Sequence, residues 1–354
     1  GSIVYRGYTK TTFNSLLTAA YTGNINEDLV LDGLLGNEYR DDYKKYYSQT
    51  GTGFNFSGWN HMDNVGIYTS SEEYTKTRNV GFFGNLSLAW KNMLYLSATG
   101  RNDYVSTMPP GNHSFFYPSV SLGFIFTELE PLKNNILTYG KLRLSYAEVG
   151  MAGENYYPAY YSKGTYSGGF LSGITIAYPI AGQIGYHKSS TVYDPNLKPQ
   201  NTVSYEIGPD LTFFNGLFSL NYTYSYQNVK DQIFPVPLPR STGVTYYYTN
   251  AGRMQTIGHE ITLSANPIRN RNINWDFAFN FSKIKSEVKE LAEGVENLMM
   301  GGFTSPNVRA QIGETYPVVW GTTFARDDKG NLVLNDNNMP YAEGSGVIAR
   351  VAPD

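Results

Sequence analysis

From Phe218 to Gln227 the chain reads FSLNYTYSYQ, with an apolar or aromatic residue at every second position and Ser219, Asn221, Thr223, Ser225 and Gln227 between them. A period of two is the strand period, so this stretch has one greasy and one wet face. Val80 to Lys91 repeats it: Val80, Phe82, Leu86, Leu88 and Trp90 oppose Gly81, Asn85, Ser87 and Lys91, and Phe83 is the exception. Leu94 to Asp103, Pro118 to Thr127, Val203 to Phe213 and Trp275 to Ser282 follow the same rule. Weaker alternation at 12–21, 28–37, 138–148 and 256–266 brings the expectation to about ten strands.

The connections sort by length. Short links lie near Thr22–Glu27, Lys91–Met93, Thr127–Asn135, Asn215–Gly216 and Pro267–Ile273; long ones lie near 38–77, 104–115, 149–201 and 229–255. Short and long alternate, which places all short links at one end of the strands. A soluble sandwich has no reason to do this, whereas outer-membrane barrels combine tight periplasmic turns with long extracellular loops. The reading is an all-β, antiparallel transmembrane barrel whose strands turn Phe218 to Tyr226 toward lipid and Ser219 to Gln227 toward a polar lumen. Lipid offers backbone N–H and C=O groups no partner, so every strand must be paired on both sides. Trp90 and Trp275 fall beside short links, where a ring with a polar edge suits the membrane boundary.

Composition agrees with a folded, strand-rich chain. In 354 residues, 15% are aromatic, led by 31 Tyr and 19 Phe, and only 16% are charged. A net charge of −3 gives no basic footprint for nucleic acid, and the absence of Cys removes disulfides and thiolate metal sites. The first residues show no signal peptide, and no run of about 18 apolar residues predicts a membrane helix. A mean hydropathy of −0.36 does not argue against a barrel, because alternating faces cancel in the average.

Candidate chemistry is sparse. His61, His113, His187 and His259 are scattered without metal-ligand spacing, and no acid–base pair or nucleophile constellation stands out. Neither an enzyme nor a cofactor is expected. Asp327 to Asn338 (DDKGNLVLNDNN) is rich in oxygen ligands but lacks the spacing and terminal glutamate of a calcium loop, so it reads as a solvated turn. Three Asn-x-Ser/Thr matches, at Asn85, Asn221 and Asn280, follow from strand alternation alone. Lys283 to Leu298 reads either as a strand running into a loop or as a short helix.

The blocks RNDYVSTMPPGNHSFFYPSVSLGFIFTEL (101–129), YGKLRLSYAEVG (139–150), DPNLKPQNTVSYEIG (194–208), NAGRMQTIGHEITL (250–263) and IGETYPVVWG with DDKGNLVL (312–334) resemble, in order and spacing, the barrel of the SusC/RagA-type TonB-dependent transporters. The resemblance implies a roughly 22-stranded barrel closed by an N-terminal plug, opened by the TonB complex and lidded by a SusD-like surface lipoprotein. It implies import of oligosaccharides or peptides across the outer membrane of a Gram-negative bacterium. Residues 1–354 carry no plug or TonB box and about half the strands, so they are expected to be part of such a barrel.

Substrate contact is expected from aromatic clusters in the long links: Trp59 with Tyr46 and Tyr47; Tyr156, Tyr157, Tyr160 and Tyr161; and Tyr246, Tyr247 and Tyr248. Flat rings flanked by small polar residues can stack on sugar faces or on peptides. The same rings can equally pack the links together or against the lipoprotein. Their low charge favours a glycan over a peptide. A passive porin would need only the barrel, and a glycan-binding β-sandwich would not explain the sorted links.

Overall fold

The computed structural model describes residues 1–153, 190–303 and 305–349, and between 153 and 190 only the pieces 161–163, 165–166, 176–177, 182–183 and 186–188. Ten long strands succeed one another: β1 (Ser2–Asn26), β2 (Leu29–Phe54), β3 (Val65–Trp90), β4 (Leu94–Val105), β5 (Ser114–Ile125), β6 (Leu137–Met151), β7 (Gln200–Phe213), β8 (Phe218–Pro237), β9 (Tyr246–Arg269) and β10 (Asn274–Leu291). Each pairs antiparallel with the next, giving one sheet in chain order. The β-branched and aromatic content of these segments favours the pleat, and the ladders satisfy the backbone groups that hydrocarbon could not.

The register converts sequence alternation into two continuous surfaces. Ser87, Ser97, Ser121, Ser145, Glu206 and Ser225 lie opposite one another across β3 to β8. One position along, Leu88, Leu96, Leu122, Leu144, Ile207 and Tyr224 do the same on the other face. A one-residue slip in any ladder would exchange a hydroxyl for a leucine, so the contrast between faces locks the register.

The apolar face is open. Phe82, Leu86, Val120, Ile207, Phe277, Phe279 and Phe281 are all exposed on it, and no second layer covers them among the described residues. Large apolar groups left bare over ten strands need an apolar solvent.

The turns at one end are tight, as the sequence predicts. Two residues, Glu27 and Asp28, join β1 to β2. Lys91 and Asn92 adopt φ of 50° and 51°, and Phe214, Asn215 and Gly216 adopt 50°, 54° and 90°. These left-handed conformations reverse the chain within three or four residues and suit Asn and Gly best. Trp90 and Trp275 stand exposed beside these turns, and Lys91 Nζ lies 5.2 Å from the Trp90 ring centroid.

At the other end the structure corrects the sequence reading. Two of the long links are mostly strand: β2 and β3 pair from Leu29 with Trp90 to Phe54 with Val65, leaving only residues 55–64 as connection within 38–77. Likewise β8 and β9 extend inward, so the link 229–255 shrinks to 238–245. Strands of 25 and 26 residues far exceed the 9–11 that cross hydrocarbon, so β1 to β3 continue beyond the membrane. The segment from Lys283 also resolves in favour of strand, which runs to Leu291.

A smaller antiparallel sheet follows: β11 (Asn297–Gly302), β12 (Asn307–Gln311), β13 (Val318–Phe324) and β14 (Ala342–Ala349). Of the 312–334 block, it holds Val318–Phe324. Val288 donates its N–H to Glu314 O at 3.0 Å and accepts from Gly313 N–H at 2.8 Å, which ties this sheet to the far end of β10. The buried cores also sit at that end. One joins Phe234, Ala251, Val288, Leu298 and Ala310; the other joins Val105, Met108 and Leu197. A barrel wall has no core of its own, so the only place to bury apolar side chains in protein is above the membrane.

Candidate functional site

On the polar face of the wall, Asp32, Ser97, Ser121, Arg143, Ser145 and Glu206 line a cavity of about 440 Å³. Neighbouring strands deliver these groups because period-2 alternation and in-register pairing place every second side chain on this side. The Oγ atoms of Ser87 and Ser97 are 3.0 Å apart, and Asn85 Nδ2 donates to Ser97 Oγ at 3.1 Å. A surface of this kind offers a dense array of hydroxyl donors and acceptors beside the charges of Asp32, Arg143 and Glu206.

Two ionic networks interrupt the hydroxyls. Arg101 of β4 reaches Glu38 Oε2 on β2 from Nη2 and Asp103 Oδ1 on its own strand from Nε, each at 2.9 Å. Tyr117 of β5 donates its hydroxyl to the other Asp103 oxygen. Asp103 is 6% exposed, and the Arg101 guanidinium lies 5.5 Å from the Phe83 ring centroid. Gly81 of β3 stands between these groups, and a Cβ there would collide with both Arg101 and Asp103. The second network joins Arg143 of β6 to Asp210 of β7 at 2.9 Å and to Thr223 Oγ1 of β8 at 3.1 Å. Both were only partly visible in the sequence: Arg101 and Asp103, two apart on a strand, must share a face, but Glu38 and Tyr117 join them through register alone.

The aromatic clusters end up in different surroundings. Trp59 is in the 55–64 link as expected, stacked between Phe56 (5.7 Å, 15°) and His61 (4.9 Å, 2°). This group is held rigidly. Buried Asn64 donates from Nδ2 to Phe56 O and Trp59 O, both at 2.8 Å, while its backbone O accepts from Asn55 N–H at 2.8 Å. Tyr46 and Tyr47 sit within β2, on opposite faces, and not in a loop.

Tyr246, Tyr247 and Tyr248 likewise begin β9, paired with Pro237, Val236 and Pro235, so the expectation of a loop position is wrong for all three. Strand alternation then separates them. Tyr248 stacks on Tyr193 at 4.8 Å, packing the link as the plainer alternative holds. Tyr247 is pushed up from its ordinary pKa by burial and by the Asp194 carboxylate. Tyr246 alone of the three is exposed. Tyr156, Tyr157 and Tyr160 lie outside the described residues; Tyr161 pairs its backbone with Lys188 in a two-stranded ribbon.

No group of three or more potential metal ligands occurs among the described residues. His61 stacks on Trp59, and His259 Nδ1 pairs with the Tyr222 hydroxyl at 2.9 Å. Asp327 accepts from the backbone N–H of Lys329 and Asn331 and from Asn331 Nδ2, contacts that close a turn and hold its carboxyl below the usual range. No helix among the described residues is long and apolar enough to cross a membrane.

Comparison with known proteins fits this geometry. A family model described as "TonB dependent receptor-like, beta-barrel" matches residues 2–347. The chain is 26% identical over 327 residues to TonB-dependent receptor P26 of Formosa agariphila, covering 88% of this chain and 31% of that protein. It is 27% identical over 226 residues to TonB-dependent receptor SusC of Bacteroides thetaiotaomicron, covering 62% and 22% respectively. The fold superposes on the structure of the RagAB peptide transporter with a TM-score of 0.78 at 20% identity, over 93% of this chain and 35% of that one. The chain thus spans about a third or less of the relatives it matches.

Proposed function

Because the chain belongs to the TonB-dependent receptor β-barrel family, whose members are outer-membrane barrels, we propose that it forms part of the wall of a SusC/RagA-type importer of oligosaccharides. The remaining wall strands and a plug belong to the rest of the protein, since β1 and β10 each leave an edge that cannot stay unpaired in lipid. Energy enters through the plug from the TonB complex, and a SusD-like lipoprotein caps the far end. The chain acts as a transporter and not as an enzyme.

The observation that carries the glycan reading is the row of serines across β3 to β8, backed by the exposed Phe56–Trp59–His61 stack at the far end. Sugars present alternating hydroxyl edges and apolar ring faces, and these two surfaces match each in turn. In the intact protein with its lipoprotein, Trp59→Ala is expected to weaken oligosaccharide binding by roughly 1 kcal/mol, measured calorimetrically. The likeness to a peptide transporter supports a second reading, oligopeptide import. Saturable binding of mixed peptides with none of oligosaccharides would replace the first reading with the second.

Orientation follows from the unequal ends. The 238–245 link faces outside the cell and the tight turns face the periplasm. Ser241→Cys is therefore expected to react with a membrane-impermeant thiol reagent on intact cells, and Lys133→Cys only after lysis. The opposite labelling pattern would invert the topology.

A further inference from the structure

The apolar face carries cations at a defined depth. On β3, Trp90 marks the tight-turn boundary, and about 10 residues of strand cross the hydrocarbon. Arg78 and Lys76 lie 12 and 14 residues before Trp90 in sequence, and so just past the far boundary, on the same face as Leu88, Leu86 and Phe82. The far boundary is itself marked by rings: Phe13 against Tyr39 at 6.0 Å, and Phe82 against Tyr104 at 6.4 Å. The two cations therefore stand at headgroup level and point away from the lumen.

Their charge is not balanced locally. Both approach one oxygen, Asp41 Oδ2, with Arg78 Nη2 at 2.9 Å and Lys76 Nζ at 3.5 Å, and Tyr39 also donates to it at 3.2 Å. Two cations against one carboxylate leave a net positive charge, while more than half of each cation's side chain stays exposed and the carboxylate is nearly covered. The next pair along the strands, Lys45 and Glu72, neutralises itself at 2.8 Å. A further pair of lysines on the same face of β10, Lys283 and Lys285, comes 8 and 10 residues past Trp275, lower than the pair on β3 and both exposed. Only Lys285 has an ion-pair partner there among the described residues, Glu287 at 3.8 Å.

We propose that Lys76 and Arg78, braced by Asp41, form a binding site for the phosphate of an outer-leaflet lipid. Arginine offers a fork of donors that fits a phosphate, and the lysine beside it adds a point charge. Asp41 holds both side chains upright against the strand and supplies too little charge to satisfy them. The acyl chains would then lie along Leu86, Leu88 and Leu96 below. The choice of leaflet rests on the orientation proposed above; the phosphate site itself does not.

The test uses the intact protein in detergent, titrated with lipid A bearing its phosphates and with the same lipid after phosphatase treatment, bound lipid being counted by native mass spectrometry. Wild-type protein is expected to retain the phosphorylated form preferentially. Lys76→Gln with Arg78→Gln should weaken that retention by roughly 30-fold, since each cation at a membrane surface contributes a comparable share. Asp41→Asn should strengthen it, a result that a merely structural ion pair would not give. Equal retention of the two lipids or an unchanged double variant would each overturn the proposal. Unaltered heat-modifiable gel mobility shows that the double variant still forms a barrel, and Lys76→Arg should keep full retention.

Discussion

Val120→Arg is expected to destabilise the assembled barrel by roughly 2–4 kcal/mol, the cost of an arginine on the lipid face near the bilayer midplane. Val120 sits midway along β5, opposite Ala98 of β4 and Tyr146 of β6, and is exposed on the apolar face. Its neighbour in sequence, Ser121, points to the polar face between Ser97 and Ser145. Ser121→Arg adds the same charge one residue away and should cost well under half as much. Equilibrium unfolding of the intact protein in lipid vesicles measures both. Similar costs for the two variants would mean that the faces have been assigned the wrong solvents.

That contrast is also the part of the fold most legible in the sequence. Alternation in 80–91, 94–103, 118–127, 203–213 and 218–227 fixes strand and face together, because lipid on one side and polar groups on the other select every second residue in opposite senses. Above the membrane that selection lapses. The run Lys44-Lys45-Tyr46-Tyr47-Ser48 in β2 and its partners Ser71 to Thr75 in β3 meet water on both faces, so they pair residue for residue without alternating in polarity. In sequence they therefore read as loop. The same cause hid the strand positions of Tyr246 to Tyr248, where three consecutive rings give no period at all.

The site was less legible than the wall. The serines are visible one strand at a time, but their alignment into a row depends on ladders whose register only the structure fixes. Trp59 drew notice as an aromatic in a link; the stack it makes depends on Asn64, a residue with no signal of its own, which closes the link by three backbone-directed hydrogen bonds. Cations on an apolar face were equally silent, because Lys76 and Arg78 in TKTRN look like any solvated run until depth along β3 is counted.

The interior network gives the other large effect. Arg101→Met is expected to cost roughly 3–5 kcal/mol, because removing one partner leaves Glu38 and Asp103 close together with no counter-charge on a wall that holds them largely out of water. The low end of that range applies, since the side chains of Arg101 and Glu38 keep 27% and 30% exposure against 9% for Asp103. Methionine keeps an unbranched apolar side chain on the Phe83 side of the strand, so most of the loss reports charge. Adding Glu38→Gln and Asp103→Asn to Arg101→Met should recover most of the stability, because a neutral amide set needs no counter-ion and Tyr117 can still donate. If the triple variant unfolds at the same denaturant concentration as Arg101→Met alone, the cost lies in lost packing. The network would then be a brace of the wall, and the charge balance on its polar face would carry no part of the barrel's stability.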